Sequence, residues 1–198
     1  MTCPASWQST TKPMLPEISL NVLDVSENST RAGATLVEIR VAASQADDTL
    51  TIVIADNGCG MTPEQVSRVT DPFFTTRTTR KVGLGIPFFK YAAESTGGSF
   101  RIESEPGKGT TVTAVFGLSH IDRMPLGDMN ATIHNLIVYH PDTDFCYTYT
   151  FNDASFTLDT REMREILDGV PLDAPEVSQY IMEYLKENQQ ETDKGAIL

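Results

Sequence analysis

The sequence predicts an α/β fold, a two-layer sandwich with a mostly antiparallel sheet and helices on one face, followed by an α+β appendage. Three observations carry this. Residues 36–41 and 49–54, and again 99–104 and 110–116, alternate apolar and polar side chains across short polar or glycine turns, as antiparallel strand pairs do. Between and before these pairs lie stretches with helical periodicity, at 17–32 and 86–95. Beyond residue 118 come a further hairpin and two or three helices, placed to extend the sheet.

In chain order, residues 1–15 carry Pro4 and Pro13 among Ser and Thr and read as a tail. Residues 17–32 place Ile18, Val22, Val25 and Ser29 on one helical face, and Gly33 stops that helix. Two strands follow, with a polar turn at Gln45 to Asp48. Thr62-Pro63-Glu64-Gln65 supplies an N-cap with proline at the first helical position, so a short helix starts there. The loop 71–83 is rich in Thr and Arg and has no period. The helix from Ile86 to Ser95 ends at Thr96-Gly97-Gly98, and a turn from Pro106 to Gly109 joins the next two strands. Residues 119–129 hold Pro125 and Gly127 and read as a linker before a helix over 130–139. Asn152-Asp153-Ala154 is a hairpin signal between strands 145–151 and 155–158. A capped helix starts at Thr160 and ends at Asp168-Gly169, and another runs from Pro175 to Asn188 with Val177, Ile181, Tyr184 and Leu185 on one face.

A chain of 198 residues allows one large domain or a small domain with an appendage, and 40% hydrophobic with 21% charged residues is a globular composition. No apolar run has the length of a membrane span, and residues 1–8 show no signal-peptide pattern, so neither a membrane nor secretion is expected. Cys3, Cys59 and Cys146 are odd in number and far apart, which indicates neither a disulfide framework nor a zinc site, and a reducing cytoplasm is the expected location. Cys59 is a small filler or a redox-sensitive thiol. The net charge of −12 is uneven: residues 1–118 hold 10 basic and 12 acidic side chains, net −2, and residues 119–198 hold 5 and 15, net −10. So acidic a second half argues against a nucleic-acid partner. It is either a solvated surface or one that docks on a basic partner.

The chemistry concentrates between Asp56 and Gly85. Asp56-Asn57-Gly58-Cys59-Gly60 puts a carboxylate at the end of a strand and two glycines directly after it. A second glycine pair, Gly83 and Gly85, opens an apolar helix, whose free N–H groups and positive dipole end suit phosphate. Carboxylate, glycine turn, loop and phosphate-ready helix in that order suggest a nucleotide site.

These residues resemble the Bergerat-fold ATPases: DNA gyrase B, the ninety-kilodalton heat-shock chaperone, the sensor histidine kinases and the mismatch-repair ATPases. Asp56-x-Gly58-x-Gly60 resembles the first glycine box. Asp71-Pro-Phe73-Phe74-Thr-Thr-Arg77 and Gly83-Leu-Gly85 resemble the phenylalanine box and second glycine box of the histidine kinase catalytic domain in particular. Upstream, residues 24–34 resemble the Asn-bearing box, and downstream 107–115 resemble the closing strand with its Thr, so the match covers about 16 to 117 within a domain of 16–118.

The resemblance implies binding of ATP or ADP with Mg²⁺. Asp56 would accept from the exocyclic amine of adenine and repel the carbonyl of guanine. Thr110 would support the same edge, and a one-residue slip would give that task to Thr111. Gly58 and Gly60 would let the backbone pass close to the nucleotide. Asn28 would bind Mg²⁺ through its amide oxygen, and Arg31 would meet phosphate. Asp24, one turn before Asn28, stands where other branches carry a water-activating Glu; it is shorter by about 1.5 Å and reads as a metal-shell residue or weak base. Glu27 is about 100° round the helix and is not read as equivalent. Phe73 and Phe74 would pack under the loop. Arg77, Arg80 and Lys81 either meet phosphates or are ordinary exposed cations, and Gly83 and Gly85 would give N–H groups to the phosphates.

Three functions stay open: a kinase-like ATPase domain in cytoplasmic signalling that transfers phosphate in trans to a protein, a nucleotide-dependent binding module like the anti-sigma factors, and a nucleotide-binding structural protein. With about sixteen residues ahead of the first box, the dimerising helical hairpin of a sensor kinase is expected to be absent. Ser119-His120, followed by Asp122, Arg123, Pro125 and Leu126, resembles the phosphoacceptor box with its acidic residue displaced by one, so His120 is an acceptor or a linker residue. The appendage 119–198 carries Tyr147, Tyr149, Phe151 and Phe156 on one hairpin. Aromatics expected on both of its faces need cover, from a partner, a second copy or the ATPase domain.

Overall fold

Alternation decides which side of each strand is buried, and here every strand buries the same side. The computed structural model describes residues 17–71 and 85–198; the expected tail, 1–15, lies outside them. Strands β1 (Leu36–Ser44), β2 (Thr49–Asp56), β3 (Ser99–Glu105), β4 (Gly109–Gly117), β5 (Asp144–Phe151) and β6 (Ala154–Asp159) form one sheet in the order β3-β4-β2-β1-β5-β6. Neighbours are antiparallel except β1 and β5, which are parallel. Val37, Ile39 and Val41 of β1, Leu50, Ile52 and Ile54 of β2, Val112 and Phe116 of β4, and Phe145, Tyr147 and Tyr149 of β5 are buried. Each such side chain contributes about 1.5–3 kcal/mol by leaving water, so a one-residue slip in any central strand is strongly opposed.

The covering layer is helical, as the sequence predicts. Helix α1 (Ile18–Arg31) buries Ile18, Val22, Val25 and Ser29, and its end is turned by Gly33 at φ +76°. Helix α2 (Pro63–Val69) starts with a reciprocal cap: Thr62 accepts from the Gln65 N–H while the Gln65 side chain accepts from the Thr62 N–H. Helix α3 (Gly85–Glu94) begins one residue before the predicted start and places Phe89 against Phe100 and Phe116. Helix α4 (Met129–Tyr139) packs on α1 and β5, and α6 (Pro175–Asp193) on β5 and β6. No helix among the described residues is long and apolar enough to cross a membrane.

Beyond residue 118 the structure bears out one expectation and corrects two. Helix α5 (Thr160–Leu167) has the expected bounds and is capped by Asp159, whose carboxylate accepts from the Arg161 N–H. The Thr160 hydroxyl is used elsewhere: it accepts from the Phe145 N–H and donates to Asp144, tying α5 to β5. The hairpin aromatics lie on one face, because Tyr147, Tyr149 and Phe151 share strand parity and the register pairs Tyr149 with Phe156. Helix α6 of the same chain covers them, with Tyr184 edge-on to Phe156. That helix also runs to Asp193, five residues past the predicted end.

Candidate functional site

Strand β2 ends on Asp56, and the register sets it opposite Thr110 at the start of β4. Both have the parity of the buried side chains, so both face the helical layer and Thr111 faces away. The Asp56 carboxylate is held by three donors. Its Oδ1 accepts from the Gly58 N–H at 2.9 Å and the Thr110 N–H at 3.2 Å, and its Oδ2 accepts from the Ser29 hydroxyl at 2.6 Å. Ser29 comes from α1, so the strand-end carboxylate and the helix are fixed to each other.

The glycines after Asp56 serve close approaches. A Cβ at Gly58 would lie 3.0 Å from the Ala32 carbonyl oxygen, and one at Gly60, where φ is +65°, would overlap the Glu105 carbonyl. The turn is pinned at both sides: the Cys59 N–H donates to Ala32 O, and Cys59 O accepts from the Gly107 N–H. Asn57 holds the next connection, accepting from the N–H groups of Thr35 and Leu36. Ser104, on the inward side of β3, accepts from the Met61 N–H at 2.8 Å and lies 2.9 Å from the Thr110 hydroxyl. An open cavity of about 290 Å³ is lined by Asp56, Ser104, Gly109 and Thr110 together with Glu103, Glu105, Lys108 and Thr111.

Helix α1 brings a second group. Asp24 and Asn28 stand one turn apart and are exposed. The Asp24 carboxylate lies against the start of α3: a Cβ at Gly85 would be 2.5 Å from Asp24 Oδ2. Arg31 is exposed and donates to Asn28 Oδ1 at 3.2 Å and to Glu27 at 2.6 Å. The structure therefore gathers Asp24, Asn28, Arg31, Asp56, Gly58, Gly60, Gly85 and Thr110 around α1 and the ends of β2 and β4. Phe73, Arg77 and Gly83, with Phe74, Arg80 and Lys81, lie outside the described residues.

Asp24 and Asn28 offer a carboxylate and an amide oxygen, hard donors that fit Mg²⁺, which takes few ligands from protein. Arg31 now occupies the Asn28 oxygen and would have to swing away for an ion to bind. His120 stands apart from all of this. It follows Gly117 at the other end of β4, and the seven steps from Thr110 to Gly117 span about 23 Å at about 3.3 Å per residue.

Sequence reasoning missed Ser29 and Ser104 as site residues. The signal was present: each is a polar residue at a position whose periodic neighbours, Val22 and Val25 or Phe100 and Ile102, face the core. A hydroxyl there must find a partner, and both find one at the Asp56–Thr110 wall.

Comparison with known proteins gives a consistent picture. The family described as histidine kinase-, DNA gyrase B-, and HSP90-like ATPase matches residues 12–120, more than half of the chain. The chain is 36% identical over 78 residues to the probable C4-dicarboxylate sensor kinase of Bacillus subtilis, covering 39% of this chain and 15% of that protein. It is 36% identical over 97 residues to the sensor protein kinase FleS of Pseudomonas aeruginosa, covering 49% and 24%. It is 31% identical over 109 residues to the signal transduction histidine-protein kinase AtoS of Escherichia coli, covering 54% and 17%. The chain thus spans less than a quarter of the length of these relatives. A crystal structure of the N-terminal domain of a DNA repair protein superposes with a TM-score of 0.52 at 15% identity, over 72% of this chain and 51% of that one, a likeness of fold alone.

Proposed function

The chain belongs to the histidine kinase-, DNA gyrase B- and HSP90-like ATPase family, and on that premise we propose that it binds Mg²⁺-ATP in cytoplasmic signalling and passes the γ-phosphate in trans to a protein partner. The observation that carries the nucleotide reading is the Asp56 carboxylate, fixed by three donors at a strand end and lining an open cavity. Adenine would donate its exocyclic amine to this carboxylate, with the Thr110 hydroxyl beside it. Guanine would set a carbonyl oxygen there, two acceptors without a proton between them, and the unmade bond costs about 1–3 kcal/mol. Calorimetry with ATP, ADP and GTP tests it: ATP and ADP bind and GTP binds far more weakly, whereas equal affinities would remove the base-reading role.

Asn28 and Asp24 would hold Mg²⁺, which when bound neutralises phosphate charge. Arg31, released from Asn28, would meet the phosphates with the first N–H groups of α3 at Gly85. Asp24 is the wrong length for a water-activating base, so unassisted hydrolysis is slow. Its carboxylate sits at the α3 start, where it would hold Mg²⁺ beside the phosphates.

Transfer goes to another chain in this reading, because the Ser119-His120 segment is held at the far end of β4. Both the Ser119 N–H and its hydroxyl donate to Asp48. An acceptor side chain of the partner would attack the γ-phosphorus as the bond to ADP breaks, and ADP leaves with the electron pair. The second reading, a binding module whose nucleotide state sets partner affinity, is favoured by the same segment, since His120 lies at the end of β4 away from Thr110. Incubation with γ-labelled ATP and cell extract separates them. Label on a partner supports transfer, label on His120 overturns the trans assignment, and nucleotide binding without any labelled protein supports the module.

A further inference from the structure

Helix α4, which lies beyond the family match, carries two histidines to two different neighbours. His134 Nε2 lies 2.8 Å from the Ser178 hydroxyl on α6. His140, at the end of α4, reaches the other way: its Nε2 lies 3.3 Å from Glu27 Oε1 on α1. Glu27 is the residue that also holds Arg31, with its other oxygen, Oε2, 2.6 Å from the guanidinium. One carboxylate therefore bridges two donors, one from the nucleotide-box helix and one from the C-terminal segment.

The two partners differ in freedom. His140 is fixed by its surroundings: its N–H donates to Leu136 O, its carbonyl accepts from the Thr143 N–H, and its ring lies beside Phe145. Its side chain is 24% exposed, against 54% for Arg31. The fixed partner anchors Glu27, and Glu27 sets where the long, mobile cation rests. Arg31 rests on Glu27 and Asn28. His140 and Arg31 share the charge of one carboxylate through its two oxygens.

We propose that His140, acting through Glu27, positions Arg31, so that the C-terminal segment tunes how tightly the site holds the phosphate end of its nucleotide. The proposal rests on the reading above in which Arg31 faces phosphate. His140 is a positioning residue and touches no ligand. A partner that shifts α4 or α6 would be felt at Arg31 through this bridge, with no rearrangement of the Asp56 wall.

The test is calorimetry with ATP and with adenosine, in Mg²⁺ at one pH, on the full chain. His140→Phe keeps an aromatic ring and removes the donor; the Glu27 charge is then left to Arg31 alone, and ATP affinity falls about 3- to 10-fold, the scale of a part-buried charge contact. Adenosine affinity stays as in the wild type. His140→Gln restores a donor to Glu27 and restores ATP affinity. Glu27→Gln frees Arg31 and tightens ATP, and in that background His140→Phe has no further effect, as a coupled pair requires. A His140→Phe loss that is equal for ATP and adenosine, or that persists in Glu27→Gln, overturns the proposal while nucleotide binding stands. A wild type that binds neither ligand overturns the nucleotide reading and this proposal with it.

Discussion

Asp56 and Asp193 are both carboxylates held by three donors, yet they serve opposite ends. Asp56 accepts from one hydroxyl and two backbone N–H groups. Asp193, the last residue of α6, accepts from the Tyr149 hydroxyl at 3.0 Å, the Gln189 amide at 3.2 Å and the Gly195 N–H at 2.8 Å. Asp56 lines an open cavity, and Asp193 is 5% exposed. At Asp193 the bonds join a helix end to the hairpin. At Asp56 they join a strand end to a helix beside an open cavity. A saturated carboxylate is thus no sign of a site in itself; what matters is whether its remaining lone pair looks into space that a ligand can enter.

The two corners can be separated by substitution. The largest effect is expected at Gly109, whose φ of +107° and whose Cβ, if added, would overlap the Asp56 carbonyl. Gly109→Ala should cost about 3 kcal/mol or more through overpacking and backbone strain, lowering Tm by roughly 6–12 °C for a chain of this size. Thermal unfolding by circular dichroism within about 2 °C of wild type would mean that the β2–β4 contact is loose. Next comes Asp56→Asn, which sets an amide against at least one donor. ATP affinity should fall by about 1–3 kcal/mol, seen by calorimetry, with thermal stability less affected. The reverse pattern, stability lost and affinity kept, would make Asp56 a second Asp193.

A pH titration sharpens the other corner. Burial raises the Tyr149 hydroxyl well above its ordinary range, helped by the bond to Asp193 and its charge, and burial raises Tyr147 as well. A group whose pKa is higher folded than unfolded stabilises the fold fully below the unfolded value, about 10 for tyrosine, and loses that share as pH rises through the folded value. The unfolding free energy from urea titrations should therefore hold steady up to about pH 10 and then fall by about 1.4 kcal/mol per pH unit for each such tyrosine. Tyr149→Phe should remove one share of that slope, and an unchanged slope would place the effect elsewhere. The smallest effect is expected at Gly195, where φ is +79° but, among the described residues beyond its chain neighbours, no atom lies within 4 Å of an added Cβ. Gly195→Ala should cost about 1 kcal/mol from backbone conformation alone and leave ATP binding untouched; a loss as large as that at Gly109 would erase the contrast.

Much of this was legible in the sequence, and what was not has a common cause. Strict alternation in Val37, Ile39 and Val41 or in Leu50, Ile52 and Ile54 announced the strands, and Gly33, Gly97 and Asp168-Gly169 announced the helix ends. The Asp56, Gly58 and Gly60 box stood out because each residue type answers a local demand. Partners set by distant residues were invisible. Helix α6 outruns its apolar stripe because Asp193 has Tyr149 to bind, 44 residues away. Nothing local to Thr160 reveals that its hydroxyl bonds to Asp144 and Phe145. Glu27 was set aside by its angle on α1, and its link to His140 crosses 113 residues.

Strand β1 lies in the middle of the sheet, and its two edges are completed at very different moments of synthesis. One edge closes on β2 across a four-residue turn. The other closes on β5, where Leu36 pairs with Asp144, 108 positions later. At roughly 5–20 residues per second, the ribosome leaves that row of N–H and C=O groups without its mate for about 5–20 seconds. During this interval a Val- and Ile-rich ribbon is open to any passing strand. The slow, long-range parallel pairing is therefore the step at which a nascent chain is most exposed to sticking, and chaperone contact or crowding on polysomes would act there before any nucleotide could.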